Sequence, residues 1–188
     1  MQRWSGRMRL VIINNNKVTA RLRLKKPNMR KLLLSLVIVL FVLAGCSKKS
    51  ECPEENTVAP AAEEQMVKDY LNSKGITTAT KYKSNMYYQV LTPGSGGSPN
   101  ACSIVSVAYV GKLTDDYVFD QSAGSSFELQ GLIKGWIQGI PLIQKGGSIR
   151  LFLPPSLAYG NQTITDSKGR VIPGGTMMIF DINLLNFQ

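Results

Sequence analysis

Nine residues, Leu132-Ile133-Lys134-Gly135-Trp136-Ile137-Gln138-Gly139-Ile140, ask to be a helix and cannot be one unaided. Their large apolar groups at 132, 133, 136, 137 and 140 fall at helical spacing on one face. Gly131, Gly139 and Pro141 bracket the run, which leaves it too short to persist alone. It must be held from outside. The segments able to hold it, Ser103 to Leu113, Ser148 to Leu153 and Thr176 to Phe187, are rich in Val, Ile, Leu and Phe and read as strands. The expectation is a short helix cradled by a sheet, with Trp136 between them. On packing grounds alone Trp136 is core, because Trp is mostly buried.

A formal charge of +10 invites a nucleic-acid partner until its distribution is read. Residues 1–45 carry ten Lys or Arg and no acid, so basic and acidic residues balance from 46 onward. A basic binding patch is therefore excluded, and no nucleic acid is expected as a partner. The basic leader runs through Arg30 and Lys31 into Leu32 to Ala44, thirteen residues that are apolar except for Ser35. That is shorter than the roughly 20 residues of a spanning helix and fits a signal-peptide core behind a positive flank. Leu43-Ala44-Gly45-Cys46 closes the run and resembles the bacterial lipobox, which implies cleavage before Cys46 and a diacylglycerol on its thiol. A lipid-tethered domain is expected, and the segment before Met29 is excluded from the fold as an upstream flank or an early start site. Ser47 behind the lipid site resembles the sorting of enteric lipoproteins to the outer membrane, with the domain facing the periplasm.

Cys52 and Cys102 remain. An exported location permits a bridge between them, but one lies in a tether and the other beside a strand, so they read as unpaired. No His occurs anywhere, which excludes His-based metal sites, Ser-His and Cys-His nucleophiles and imidazole shuttles.

Ser47 to Ala59 is polar and aperiodic and reads as a flexible spacer. Ala61 to Lys74 reads as an amphipathic helix with Ala62, Met66, Val67, Tyr70 and Leu71 on its apolar face, Glu63 and Glu64 at the positive end of its dipole, and Lys74-Gly75 closing it. Met86 to Leu91 reads as a strand and Pro93 to Pro99 as a loop. The next strand alternates Val105, Val107 and Tyr109 on one face with Ile104, Ser106, Ala108 and Val110 on the other. Tyr117 to Asp120 returns, Gln121 to Ser126 reads as loop, and Phe127-Glu128-Leu129 leads into the central helix. Asn161 to Gly175 reads as a loop long enough to suggest function.

In one order and at tight spacing the chain carries Ala108-Tyr109-Val110-Gly111, Val118-Phe119-Asp120, Phe127-Glu128-Leu129, Leu132-Ile133-Lys134-Gly135-Trp136, Leu157-Ala158-Tyr159-Gly160, Val171-Ile172-Pro173 and Ile179-Phe180-Asp181. Together these resemble the FKBP-type peptidyl-prolyl cis-trans isomerase domain over about residues 86–188, preceded by a helix similar to the extension of bacterial members. The resemblance implies an α+β fold, an antiparallel sheet of five or six strands curled around one short helix. It divides the chain into a leader (1–45), tether (46–59), helical extension (60–85) and isomerase domain (86–188).

The resemblance further implies that Trp136 floors an apolar cleft walled by Tyr109, Phe119 and Phe180, with Leu132 and Ile133 contributing from the start of the helix. It puts Asp120 at the rim, Tyr159 presenting its hydroxyl to a substrate carbonyl, Val171 and Ile172 bordering the far side, and the Ile133 backbone N–H donating to a ligand carbonyl. So many aromatic groups are more than a small core can hide, which favours a site over plain packing. The implied partners are proline-containing unfolded or exported polypeptides, the membrane through Cys46, and the family's macrolide inhibitors. No cofactor or metal is implied, and a monomer is expected. The chain departs from the family in having Ser125 where an aromatic is common, a longer polar loop at Asn161 to Arg170, and Gly174-Gly175 after Pro173. These departures bear on substrate preference and macrolide affinity. A chaperone-like module that binds proline-containing segments with little turnover is the alternative, and the full set Tyr109, Phe119, Asp120, Trp136, Tyr159 and Phe180 argues for turnover.

Overall fold

The computed structural model describes residues 52–188; the leader, the apolar run and Cys46 lie outside the described residues. In chain order the regular elements are α1 (Ala61–Ser73), β1 (Thr80–Lys81), β2 (Tyr87–Thr92), β3 (Ile104–Lys112), β4 (Val118–Glu128), α2 (Lys134–Gly139), β5 (Ser148–Leu153), β6 (Ile164–Thr165), β7 (Val171–Ile172) and β8 (Met178–Phe187). Six strands pair antiparallel in the order β1-β2-β5-β8-β3-β4, and β6 and β7 form a separate hairpin. The expected antiparallel sheet around one short helix is therefore observed.

Alternation along β5 sets the layers. Leu151 and Leu153 point to α2 and the main core, whereas Phe152 between them points to the opposite face and packs in a second cluster with Val67, Leu71, Met177 and Ile179. The middle of the sheet is thus covered on both sides, by α2 within its curl and by α1 outside. α2 sits close because it meets β5 through Gly135 against Leu153 and Gly139 against Leu151, where a methyl on either glycine would overlap the leucine tip. Short 3-10 turns at Leu129–Gly131 and Ile140–Leu142 flank it. The helix is thus shorter than its nine-residue apolar run: Leu132 and Ile133 precede it, and Ile137 is only half-buried because the two glycines take the place against the sheet.

Four further readings change. Gln121 to Ser126 is not a loop but the middle of β4, an edge strand whose backbone pairs with β3 while its polar side chains face solvent. Bulges between Val107 and Tyr109 and between Gly111 and Lys112 absorb the irregular spacing that read as a break. Asn161 to Gly175 contains the β6–β7 hairpin. Its turn is closed by Asp166, whose Oδ1 accepts the N–H groups of Lys168 and Arg170, and its tip is pinned where the Tyr117 hydroxyl donates to Asp166 and the Arg170 guanidinium stacks on the Tyr117 ring, 4.1 Å from its centroid.

α1 buries only part of its expected apolar face: Val67 and Leu71 are inward and Tyr70 packs against them. Ala62 and Met66 are exposed, and Glu64 is buried instead, where it takes Lys68 and Lys81 as ion-pair partners at 2.7 and 2.9 Å and a hydrogen bond from the Tyr87 hydroxyl. These donors hold the Glu64 carboxyl down at about 2, Lys68 having the largest effect. Glu63 docks the same end of the helix, its Oε2 accepting from both the N–H and hydroxyl of Ser156.

The last change concerns the N-terminal segment. Residues 52–59, read from sequence as part of the spacer, run along the domain, and Cys52 and Cys102 form a disulfide across a sequence separation of 50. Spacing along the chain gave no hint that the tether doubles back to the turn just ahead of β3. Ala59 is buried; its N–H donates to the Ser84 carbonyl, and its own carbonyl accepts from Asn85 Nδ2.

Candidate functional site

β3, β4 and β8 converge with α2 on one cleft of about 190 Å³, lined by Tyr109, Asp120, Phe127, Leu132, Ile133, Trp136, Tyr159 and Phe180. Each element presents its ring for a local reason. Tyr109 shares the inward face of β3 with Val105 and Val107. Trp136 is on the first turn of α2, which the two glycines hold against β5, so its indole is buried in the curl of the sheet with only 4 % of its surface exposed. Phe180 lies on the buried half of β8, pairing with Gly111 and Leu151 on either side.

The rings form an edge-to-face set around the indole. Tyr109 stands at 5.0 Å and 79°, Phe180 at 5.3 Å and 90°, and Phe127 at 6.4 Å and 80° from Trp136. Such T-shaped pairs suit the positive edge of one ring and the negative face of the next, and each contributes about 0.5–1.5 kcal/mol beyond its buried area. The cleft is therefore preformed and stiff. Trp136 Nε1 is buried and has no hydrogen-bond partner among the described residues.

Two polar tips mark the rim. The Tyr109 hydroxyl donates to Asp120 Oδ2 at 2.8 Å. Burial first, and this hydrogen bond second, push the Tyr109 phenol well above its ordinary value. Tyr159 is half-buried; its phenol is also raised, by burial and then by the charge of Asp120, so it stays protonated as a donor across the neutral range. Ile133 occupies the cap position of α2, with extended backbone (φ −61°, ψ 146°) ahead of the first helical residue.

Of the ten sequence-predicted site residues, Tyr109, Asp120, Leu132, Ile133, Trp136, Tyr159 and Phe180 come together in the cleft. Three do not line it. Phe119 is buried behind the wall, edge-on to Phe180 at 5.7 Å, in a space that Gly111 leaves free: a methyl at 111 would come within 2.8 Å of the Phe119 ring and 2.9 Å of Phe180. Ile172 is core at 1 % exposure, and Val171, its neighbour on β7, points outward at 60 %. The alternation of a strand separates the two, which reading the segment as loop concealed. Phe127 is the lining residue that sequence reasoning missed. It pairs with Val105 across β3–β4 and so shares the inward face, a parity that is invisible if 121–126 is taken as a loop.

Comparison with known proteins agrees with this geometry. Residues 96–185 match the family model described as FKBP-type peptidyl-prolyl cis-trans isomerase. Over 123 residues the chain is 36 % identical to the FKBP-type peptidyl-prolyl cis-trans isomerase FkpA of Escherichia coli K12, covering 63 % of this chain and 43 % of that protein. The chain thus spans less than half the length of this curated relative. Among solved structures it resembles a peptidyl-prolyl cis-trans isomerase of Pseudomonas syringae (29 % identity, TM-score 0.57, covering 71 % of this chain and 99 % of the other). It also resembles E. coli FkpA (28 % identity, TM-score 0.58, covering 88 % and 74 %).

Proposed function

We propose that this chain, residues 96–185 of which match the FKBP-type peptidyl-prolyl cis-trans isomerase family model, speeds cis-trans isomerisation of X-Pro bonds in exported polypeptides. The observation that carries the reading is the preformed aromatic cleft with Trp136 as floor and Asp120 and Tyr159 at its rim. Rotation about X-Pro faces a barrier of roughly 18–20 kcal/mol because resonance gives the C–N bond double-bond character, and the uncatalysed exchange takes tens to hundreds of seconds. No proton transfer or nucleophile is required, which suits a chain without His.

The planar amide is charge-separated and favours water, whereas the twisted transition state has lost that resonance and tolerates an apolar surround. Moving the bond from water onto the Trp136, Tyr109 and Phe180 rings therefore destabilises the ground state more than the transition state. The Tyr159 hydroxyl and the Ile133 N–H hold the flanking carbonyls and so fix which way the amide turns. A reduction of roughly 7 kcal/mol would give about five orders of magnitude.

The same reading extends to place. The apolar run ending in Leu43-Ala44-Gly45-Cys46 supports cleavage before Cys46 and lipidation of its thiol, and Ser47 behind it supports a domain held at the outer membrane facing the periplasm. Macrolide inhibitors would occupy the same cleft.

A protease-coupled assay with a proline tetrapeptide tests the activity. Acceleration above buffer at micromolar chain is expected; its absence, with suppression of aggregation retained, would leave a binding module in its place. Intact mass of the membrane-extracted protein tests the anchor: a diacylglycerol adduct beginning at Cys46 is expected, and an unmodified N-terminus would refute it.

A further inference from the structure

We propose that residues 52–59 are a strap that positions α2, with Gln138 as the positioning residue and the Cys52–Cys102 disulfide as its buckle. The inference rests on the isomerase reading only for its kinetic consequence. α2 has six residues, fewer than two turns, and its inner side is fixed by glycines that contribute no side-chain packing of their own. Its outer side is met by the strap. Gln138, two residues beyond Trp136 and 5 % exposed, donates from Nε2 to the Thr57 carbonyl at 2.9 Å.

Among the described residues this is the one hydrogen bond between strap and helix. A cavity of about 260 Å³ lies between them, lined by Glu54, Glu55, Ile137, Gln138 and Pro141 among others. With so open an interface, the strap is held by its ends. At one end Ala59 is locked to Ser84 and Asn85; at the other Cys52 is bonded to Cys102 in a tight turn, where Ser103 donates to the Asn100 carbonyl and Cys102 to the Asn100 side chain. That turn runs straight into β3, which carries Tyr109. The strap thus ties the floor of the cleft to the base of its wall. Cys102 is exposed, so the buckle is accessible to a dithiol reductant.

Freed of the strap, α2 samples positions in which the cleft is incomplete. Apparent affinity then falls by the fraction of molecules that are competent, while turnover of bound substrate does not change. The test compares the full chain in detergent as oxidised parent, as parent reduced by a dithiol, and as Gln138→Met. In the reduction two electrons and two protons pass from the dithiol to the cystine, leaving two thiols and a cyclic disulfide on the reductant. Gln138→Met is the arm that separates local from global effects: it removes the donor but also the buried Oε1, which has no partner among the described residues, so overall stability is expected to hold.

In both altered forms, amide exchange over residues 132–142 should accelerate by roughly tenfold, while in Gln138→Met the amides of β5 and β8 keep the parent rate. KM for a proline tetrapeptide should rise roughly three- to tenfold with kcat unchanged. Unaltered exchange over 132–142 in Gln138→Met overturns the proposal. So does an unchanged KM in Gln138→Met, or, in that variant, a loss of protection spread equally over β5 and β8. If the oxidised parent has no isomerase activity, the functional reading fails separately and the exchange data alone decide the strap.

Discussion

Replacing Gly135 by Ala pits two ordinary effects against each other at the point where α2 meets the sheet. In an exposed helix interior the change stabilises by about 1 kcal/mol, through reduced backbone entropy in the unfolded chain. Here the added methyl would meet Leu153 Cδ1 at 2.5 Å and its Cγ at 3.0 Å, with Cδ2 closer still. Because the contact reaches the branch point, turning the leucine tip does not relieve it, and Leu153 is fully buried with nowhere to go. Overpacking costs roughly 1–3 kcal/mol, and a clash that reaches the branch point of a fully buried leucine falls in the upper half of that range, so after the gain of about 1 kcal/mol a net loss of about 1–2 kcal/mol is expected. Urea melts of parent, Gly135→Ala, Leu153→Ala and the double variant measure it. Leu153→Ala alone should lose about 2–5 kcal/mol through its cavity. In the double variant the new methyl enters that cavity, so the two losses should fall short of additivity by at least about 1 kcal/mol. A Gly135→Ala protein as stable as the parent, or strictly additive losses, would refute the packing argument and with it the account of how Trp136 is placed.

Other consequences follow from single contacts. Trp136→Ala should weaken folding by about 3–5 kcal/mol as well as abolish cleft activity, and denaturant melts that match the parent would contradict it. The Glu64 carboxyl, at about 2 when folded against an ordinary 4.5, binds fewer protons folded than unfolded. Its contribution is therefore fully present above about pH 4.5 and is lost as pH falls toward 2. Glu64→Gln should flatten that acid-side loss in thermal melts across the same window, and an unchanged slope would show that the Lys68 and Lys81 pairs do not dock α1. Opening the disulfide removes the constraint on a loop with a sequence separation of 50, which chain entropy values at about 4 kcal/mol. A Cys52→Ser/Cys102→Ser protein with parent stability would argue against that bridge. Tyr159→Phe should leave stability within about 1 kcal/mol and lower kcat/KM for a proline peptide, since it removes only the rim donor; an unchanged kcat/KM would take Tyr159 out of the proposed mechanism.

The parts of this molecule that were readable in its sequence are those where one physical signal acts alone. β5 alternates apolar residues between two covered faces, and its bounds matched the expectation from Ser148 to Leu153. The seven cleft residues followed from the resemblance to the FKBP-type family that the seven motifs carry, not from periodicity or composition. What was missed lay where tertiary contact overrides local chemistry. Serines and glycine over 121–126 look like loop, yet an edge strand tolerates them, and that misreading hid Phe127. Glu64 belongs by composition on the solvent side of α1, but two lysines and a tyrosine brought from elsewhere make its burial favourable. Ile137 lost its inward place to glycines, which carry no hydropathy signal. The Cys52–Cys102 bridge depends on where a polar segment returns, and nothing along the chain encodes that distance.

The central claim is that an apolar, ring-lined cleft turns the prolyl bond by desolvation, without a titrating group. Exchange NMR on an Ala-Pro peptide, with the chain in ordinary and heavy water at several values between about pH 5 and 9, tests it most directly. The account predicts accelerated cis-trans exchange, a flat pH profile and a solvent isotope ratio near unity. No acceleration, or a bell-shaped profile with a marked isotope effect, would contradict it.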